Sequence, residues 1–362
     1  MVDGETSHLA LGATIVNTGL FYTDNHSPRN MARIEILDGV VKLAAFETNC
    51  KVVKVPTHDQ DLIDRMCHRF GLSSERAYEG ILPTITYFKD ANWAYFCYKN
   101  YDTDFHTLRD NGLTDLVALK RACRRFVSGL EKLHRSNQSH GDVTCYHLVT
   151  SNGDGFLGGS IGPSLLDTYT RGHGGASVLV TDPFKKDMVD LAKAIEDSIH
   201  PNILPLGYPN TELGMFIYFL KHHNRLNSIT PHPYVLTSME VRDFYVTVRE
   251  DFRPIARGTL NNEFRSRKSA RSFPNSRLGW HPVVRDSADQ TLGAFGYANY
   301  HNDDMGLVTF IRDFWVHAQK DGQVSVLEHC DDIHRLLEET FPGYSGIVYE
   351  VALLGRHGRI IF

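Results

Sequence analysis

The chain has 362 residues, 42% of them hydrophobic and 22% charged, which excludes a largely disordered protein and allows two or three domains. Its net charge of -5 gives no global sign of nucleic-acid or membrane binding. The average conceals a local contrast. Between Arg253 and Arg285 eight basic residues face one acid, Glu263, so this segment carries +7 and the remainder -12.

Six cysteines stand singly with no CxxC pair, the pattern of reduced thiols rather than a disulfide framework. No apolar run approaches the roughly 20 residues that span a bilayer. The start, Met1-Val2-Asp3-Gly4-Glu5, is acidic where a signal peptide is basic. The expectation is a cytoplasmic or nuclear protein with no membrane partner.

In chain order, residues 1–30 are polar and turn-rich and read as a poorly anchored arm. Alternating apolar runs at Ile34–Leu37, Val40-Val41 and Val52–Val55 predict strands of an antiparallel sheet. Asp59 to Phe70 predicts a short helix. Ile85–Phe88 and Trp93–Tyr98 predict two further strands joined by Asp90-Ala91-Asn92. Leu116, Leu119, Cys123, Phe126, Val127, Leu130 and Leu133 then recur at three- and four-residue steps. They predict a long amphipathic helix with Thr114 as its N-cap. Helical patterns follow at Asp187–Ser198, Leu213–Lys221, Met239–Val248, Met305–Trp315 and Ser325–Thr340, while Thr259–Pro274 lacks periodicity and predicts a surface loop.

After the long helix comes His140-Gly141-Asp142-Val143-Thr144-Cys145-Tyr146-His147-Leu148, which resembles the catalytic loop of protein kinases. Val52-Val53-Lys54 is similar to their third-strand lysine motif, with Asp64 in place of its glutamate partner, and Asp187 opens a helix similar to the one anchoring the kinase C-lobe. The magnesium ligands of phosphoryl transfer are missing: the Asn position reads His147, and the Asp-Phe-Gly position reads Ser160-Ile161-Gly162. The resemblance therefore implies a pseudokinase with at most weak ATP or ADP binding through Lys54, Asp64 and Asp142. The plain alternative for Lys54 is a solvated strand lysine.

Further on, Pro231–Tyr234 leads into Met239–Tyr245, followed by Gly279-Trp280, Tyr300, Phe310–His317 and Leu336–Tyr344. This order resembles the kinase-endoribonuclease family that contains the unfolded-protein-response sensor and ribonuclease L. In that family a kinase fold runs into a kinase-extension nuclease domain. The resemblance implies an α+β protein: a bilobal kinase-like body with a small β-rich N-lobe and a helical C-lobe over 31–233, and an all-α nuclease extension over 234–362. It implies a metal-independent endoribonuclease leaving 2′,3′-cyclic phosphates, with no cofactor required, and a homodimer or a heterodimer with a relative.

Residue by residue, the resemblance assigns His317 as the acid, Tyr300 as the base and Arg312 as a phosphate ligand. Asp313 stands where the family has asparagine. On a continuous helix Arg312 and His317 point about 140° apart, so they converge only if the helix ends near Trp315 or Val316. The plain alternative is a solvated helix end with an Asp313–His317 pair. Arg265, Arg267, Lys268 and Arg271 in the basic stretch are the expected RNA-backbone contacts. No metal site is expected: His329-Cys330 with His334 has poor spacing, and His222-His223 is an isolated pair. The rival function is a catalytically silent interaction module that regulates an active relative.

Overall fold

A computed structural model describes residues 7–8, 14–15, 20–23, 33–43, 46–60, 63–64, 66–67, 79–110, 115–141, 143–145, 147–158, 182–199, 210–222, 231–270, 279–287, 291–317 and 330–356. It is a mixed α+β structure of two compact units. The first comprises residues 1–203 and 221–227, the second 204–220 and 228–362. Among the described residues no helix is long and apolar enough to cross a membrane.

In the first unit β1 (Ser7–His8), β2 (Thr14–Ile15), β3 (Leu20–Thr23), β4 (Arg33–Leu43), β5 (Phe46–Pro56), β6 (Thr84–Lys89) and β7 (Trp93–Lys99) form one antiparallel sheet. Its order is β1-β2-β4-β5-β7-β6, with β3 also paired to β4. The expected 1–30 arm is corrected in part. Its described segments are strands, since Leu20–Thr23 and Thr14–Ile15 both bond the otherwise open edge of β4.

The two-residue period of β7 sends its side chains to both faces of the sheet. Ala94, Phe96 and Tyr98 join Val55, Ile63, Met66 and Val149, while Tyr95 and Cys97 join Val41, Cys50 and Val52. A second sheet contains β8 (Thr103–Asp104), β9 (Leu148–Ser151) and β10 (Asp154–Leu157), with α1 (Phe105–Asp110) following β8.

The long helix α2 (Leu116–Arg135) buries the predicted stripe from Leu119 to Leu133. Its cap is Asp115 rather than Thr114, and the Asp115 carboxylate accepts from the amides of Val117 and Ala118. A carboxylate there also meets the positive end of the helix dipole. Gly80, at φ +83°, allows the chain to cross α2 closely; a Cβ there would lie 1.9 Å from the Arg125 carbonyl oxygen. Helix α3 (Pro183–Ser198) starts four residues earlier than predicted, with Asp182 as its cap and Pro183 at its first position.

The described residues of the second unit are helical or irregular. Its helices are α4 (Glu212–His222, whose residues to Leu220 belong to this unit), α5 (Ser238–Phe252), α6 (Arg257–Ala270), α7 (His281–Arg285), α8 (Thr291–Ala294), α9 (Asp304–His317), α10 (Cys330–Thr340) and α11 (Tyr344–Arg356). The unit begins earlier than the expected boundary at 233/234 because α4 packs into it. Phe216 stacks on Tyr234, and Phe219 meets Tyr349 edge-on. Helix α5 opens with a capping box between Thr237 and Glu240.

The basic stretch is the main correction to the predicted elements: Arg257–Ala270 is a helix, not a loop. Leu260 and Phe264, one turn apart and both fully buried, anchor it, and Phe264 packs edge-on against Phe252 of α5. Two apolar positions among serine, asparagine and arginine give too narrow a stripe to stand out as a period.

Candidate functional site

In the first unit the kinase-like loop is organised by Asp187, whose side chain is fully buried. Its carboxylate accepts the backbone amides of His140 at 2.6 Å and Gly141 at 2.7 Å, and the His134 Nε2–H at 3.2 Å. The His140 ring donates from Nε2 to the Gly158 carbonyl at 2.7 Å, and His147 Nδ1 lies 3.1 Å from the Thr144 hydroxyl. One aspartate on α3 thus fixes the start of a loop 46 residues earlier in the chain.

The residues assigned to nucleotide binding engage different neighbours. The Lys54 ammonium sits 4.1 Å from the centre of the Trp93 ring, a cation–π contact. Asp64 is exposed and accepts from Gln60 at 2.6 Å. Asp142 and Ser160-Ile161-Gly162 lie outside the described residues.

In the second unit, Tyr300, Arg312 and Asp313 come together. The Tyr300 hydroxyl donates to one Asp313 carboxylate oxygen at 3.1 Å, and Arg312 Nη1 donates to the other at 2.5 Å. All three side chains are half-buried. Burial, then the Asp313 charge beside it, pushes the Tyr300 phenol up to about 12. Such a phenol is a poor proton acceptor near neutral pH until the carboxylate moves or is neutralised.

Helix α9 stays regular to His317, its last residue, so Arg312 and His317 point about 140° apart. The early helix end that would have aimed them at one point is absent. Asp313 bonds both Tyr300 and Arg312.

Aromatic packing and capping hold this corner in place. Tyr300 packs edge-on against Phe310, and the Trp280 indole donates to the His301 carbonyl at 2.9 Å. Gly279, at φ +79°, leaves no space for a side chain beside Asn302. Asp303 caps α9: it accepts the Gly306 amide at 2.8 Å, Asn261 at 3.0 Å and both Arg257 nitrogens facing it. Burial alone would raise the Asp303 carboxyl, but these bonds hold it below its ordinary value.

The cations of α6 divide into two sets. Lys268 is drawn inward, its ammonium 2.7 Å from the Asp304 carboxylate. Arg265 is exposed and Arg267 half-buried. Arg271 lies outside the described residues.

A further cluster escaped the sequence analysis. His334 and Glu338 lie one turn apart on α10 and meet Glu212 from the first turn of α4; their ligand atoms all lie within 4.8 Å of one another. Burial, then the neighbouring Glu212 charge, pushes the Glu338 carboxyl up to about 7. The available signal was the His-x-x-x-Glu spacing within one helix; the third member, 122 residues from His334, had none. The sequence matches no protein-family model and no curated protein.

Proposed function

We propose that the chain is a metal-independent endoribonuclease in which a kinase-like body without phosphoryl-transfer chemistry carries a helical nuclease unit. The observation that carries the nuclease reading is the meeting of Tyr300, four residues before α9, and Arg312, on α9, at one carboxylate. An RNA phosphate entering there takes the position at Arg312 Nη1 that Asp313 now holds. The phosphate displaces Asp313 from Tyr300 as well, and the Tyr300 oxygen, ionised once that charge is gone, takes the proton of the ribose 2′-OH. The 2′-oxygen attacks phosphorus, a 2′,3′-cyclic phosphate forms, and His317 protonates the departing 5′-oxygen once RNA and a second copy shape the site.

The exposed Arg265 and half-buried Arg267 on α6 are the RNA-backbone contacts in this reading. Two ion pairs, Arg257–Asp303 and Lys268–Asp304, tie that helix to the start of α9. The kinase-like reading of the first unit is supported by Asp187 gripping the His140-Gly141 amides. With Lys54 engaged by Trp93, ATP or ADP binding is weak, and it gains little from magnesium because His147 and Ser160 replace the two metal ligands.

One observation favours the second reading, a silent module that pairs with an active relative. As it stands, Asp313 neutralises Arg312 and raises the Tyr300 phenol, so the site is closed by its own carboxylate. Purified protein incubated with structured and single-stranded RNA in EDTA separates the two. Cleavage to cyclic-phosphate ends that disappears in His317→Ala supports the enzyme. Intact RNA, with association seen by analytical ultracentrifugation, supports the module.

A further inference from the structure

His334 is held in one tautomer by its surroundings. The Ser238 hydroxyl donates to Asp331 at 2.5 Å, so its hydrogen is committed, and the 3.2 Å contact with His334 Nδ1 must be an Nδ1–H donating to Ser238 Oγ. The neutral ring therefore presents the lone pair of Nε2 to Glu212 Oε1, 3.3 Å away. Two lone pairs at that distance repel unless a cation lies between them.

A single proton satisfies only that one edge. Glu338 brings a second carboxylate to the same point, one oxygen accepting from the Ser345 hydroxyl and the other from the Gly343 amide at 3.1 Å. These bonds orient the group and leave each oxygen a lone pair. Three converging donors, two of them anionic, are the ligand set of a borderline divalent cation. Tetrahedral bonds of about 2.1 Å separate ligand atoms by about 3.4 Å, close to the His334–Glu212 spacing. The widest separation, 4.8 Å, has to close by about 1.4 Å as carboxylates turn inward.

A separate observation supplies the fourth position. Trp315 is 2% exposed, and its indole N–H meets no acceptor among the described residues. Its ring lines a small cavity with His334, Glu338, Tyr245 and Tyr344. That cavity offers about 10 Å³ to a water's centre, room for about one molecule. A metal-bound water there accepts the indole N–H.

We propose that Glu212, His334 and Glu338 form a tetrahedral site for one zinc-class divalent cation whose fourth ligand is a water held by Trp315. The ion would join α4 to α10 within the second unit, with a water rather than a fourth side chain in its last position. The site stands independently of the nuclease reading, since none of its ligands belongs to the Tyr300–Arg312–Asp313 group.

The test uses the full chain stripped with chelator, reloaded with Zn²⁺, desalted and assayed by elemental mass spectrometry, with calorimetric titration alongside. The expected result is one tight zinc per chain and a Tm that rises with free zinc. Glu338→Gln keeps an oxygen for the Gly343 amide, and the Ser345 hydroxyl can turn to accept from its NH2, but the anionic ligand is lost, so it should remain folded and bind zinc at least tenfold more weakly. Trp315→Phe should weaken binding about tenfold through the lost bond to water. With 19 histidines in the chain, equal zinc in wild type and Glu338→Gln would mean adventitious binding and overturn the proposal, as would no bound zinc.

Discussion

Each unit is organised around an aspartate that gathers several donors, and the two differ in what donates to them. Asp187 has no solvent exposure and accepts two backbone amides and a buried histidine. The Asp313 side chain is 22% exposed and accepts only side chains, Tyr300 and Arg312. Backbone donors cannot rotate away, so losing their acceptor strands them in a dry interior at full desolvation cost. Side-chain donors at a half-open surface exchange one anion for another at little cost. The first carboxylate is thus a fastener and the second a replaceable occupant.

The largest expected effect tests the fastener. Asp187→Ala leaves the His140 and Gly141 amides and His134 without their acceptor, a loss of about 3–5 kcal/mol. At about 2–4 °C per kcal/mol for a unit of this size, Tm should fall by about 10 °C. Asp187→Asn, which keeps one acceptor oxygen, should fall roughly half as far. A change within about 2 °C in both variants would show that the hub does not organise the loop.

The occupant predicts the opposite pattern. Asp313→Asn removes the anion that competes with phosphate while keeping side-chain size and a partner for Tyr300. RNA cleavage should rise about tenfold, equivalent to about 1.4 kcal/mol of transition-state stabilisation, with Tm nearly unchanged. The Tyr300 phenol should also titrate lower, because the Asp313 charge that helps hold it near 12 is gone. Ultraviolet tyrosinate titration reads that directly. If Asp313→Asn, Arg312→Ala and His317→Ala all leave RNA cleavage where it was, the silent-module reading replaces the nuclease.

Legibility in the sequence follows the same division between fixed and exchangeable parts. Long regular patterns were readable: the alternation of Trp93–Tyr98 and the stripe from Leu119 to Leu133 each bury a face whose spacing is local. Helix α6 was not, because only Leu260 and Phe264 carry its apolar side. Helix α11, Tyr344–Arg356, was missed for the opposite reason: Tyr344, Ile347, Val348, Tyr349, Val351, Ala352 and Leu353 are all buried, which blurs any one-sided stripe. Within the candidate site, Tyr300, Arg312 and Asp313 were named from the sequence, but their mutual pairing was not, since hydrogen bonding across 13 residues depends on how the chain turns before α9. The Glu212–His334–Glu338 cluster lay deeper still, assembled from two segments more than a hundred residues apart.

The exposed cations refine the RNA side of the comparison. In the nuclease reading, with Lys268 paired to Asp304, Arg265 and Arg267 are the proposed backbone contacts on α6. Arg265→Ala with Arg267→Ala should flatten the salt dependence of single-stranded RNA binding by about 1.4, at about 0.7 per phosphate. Lys268→Ala should cost stability and leave the slope as it is. Fluorescence anisotropy between 50 and 200 mM salt, a range set by about a fourfold change in screening ions, distinguishes these outcomes. A slope lost with Lys268 but not with the arginines would mean that the Lys268–Asp304 pair opens for RNA.

The smallest effect concerns Asp303, midway between fastener and occupant: it accepts one backbone amide, from Gly306, and side chains of Arg257 and Asn261. Asp303→Asn retains an oxygen for the Gly306 amide, so the cap survives and only the charge is lost. Because the Asp303 side chain and Arg257 are both about a third or more exposed, the cost at pH 7 should stay under about 1 kcal/mol. Its pH dependence has a definite sign. The folded carboxyl lies below its ordinary 3.8, so the charge contributes stability above that value and loses it as pH falls through the lower, folded-state value. The Tm gap between wild type and Asp303→Asn should therefore be flat from pH 7 down to about 5 and close as the pH falls through the lowered, folded-state value. A gap that persists undiminished at the acid end would place the effect in the geometry of the cap, making Asp303 a fastener like Asp187 rather than a charge partner for Arg257.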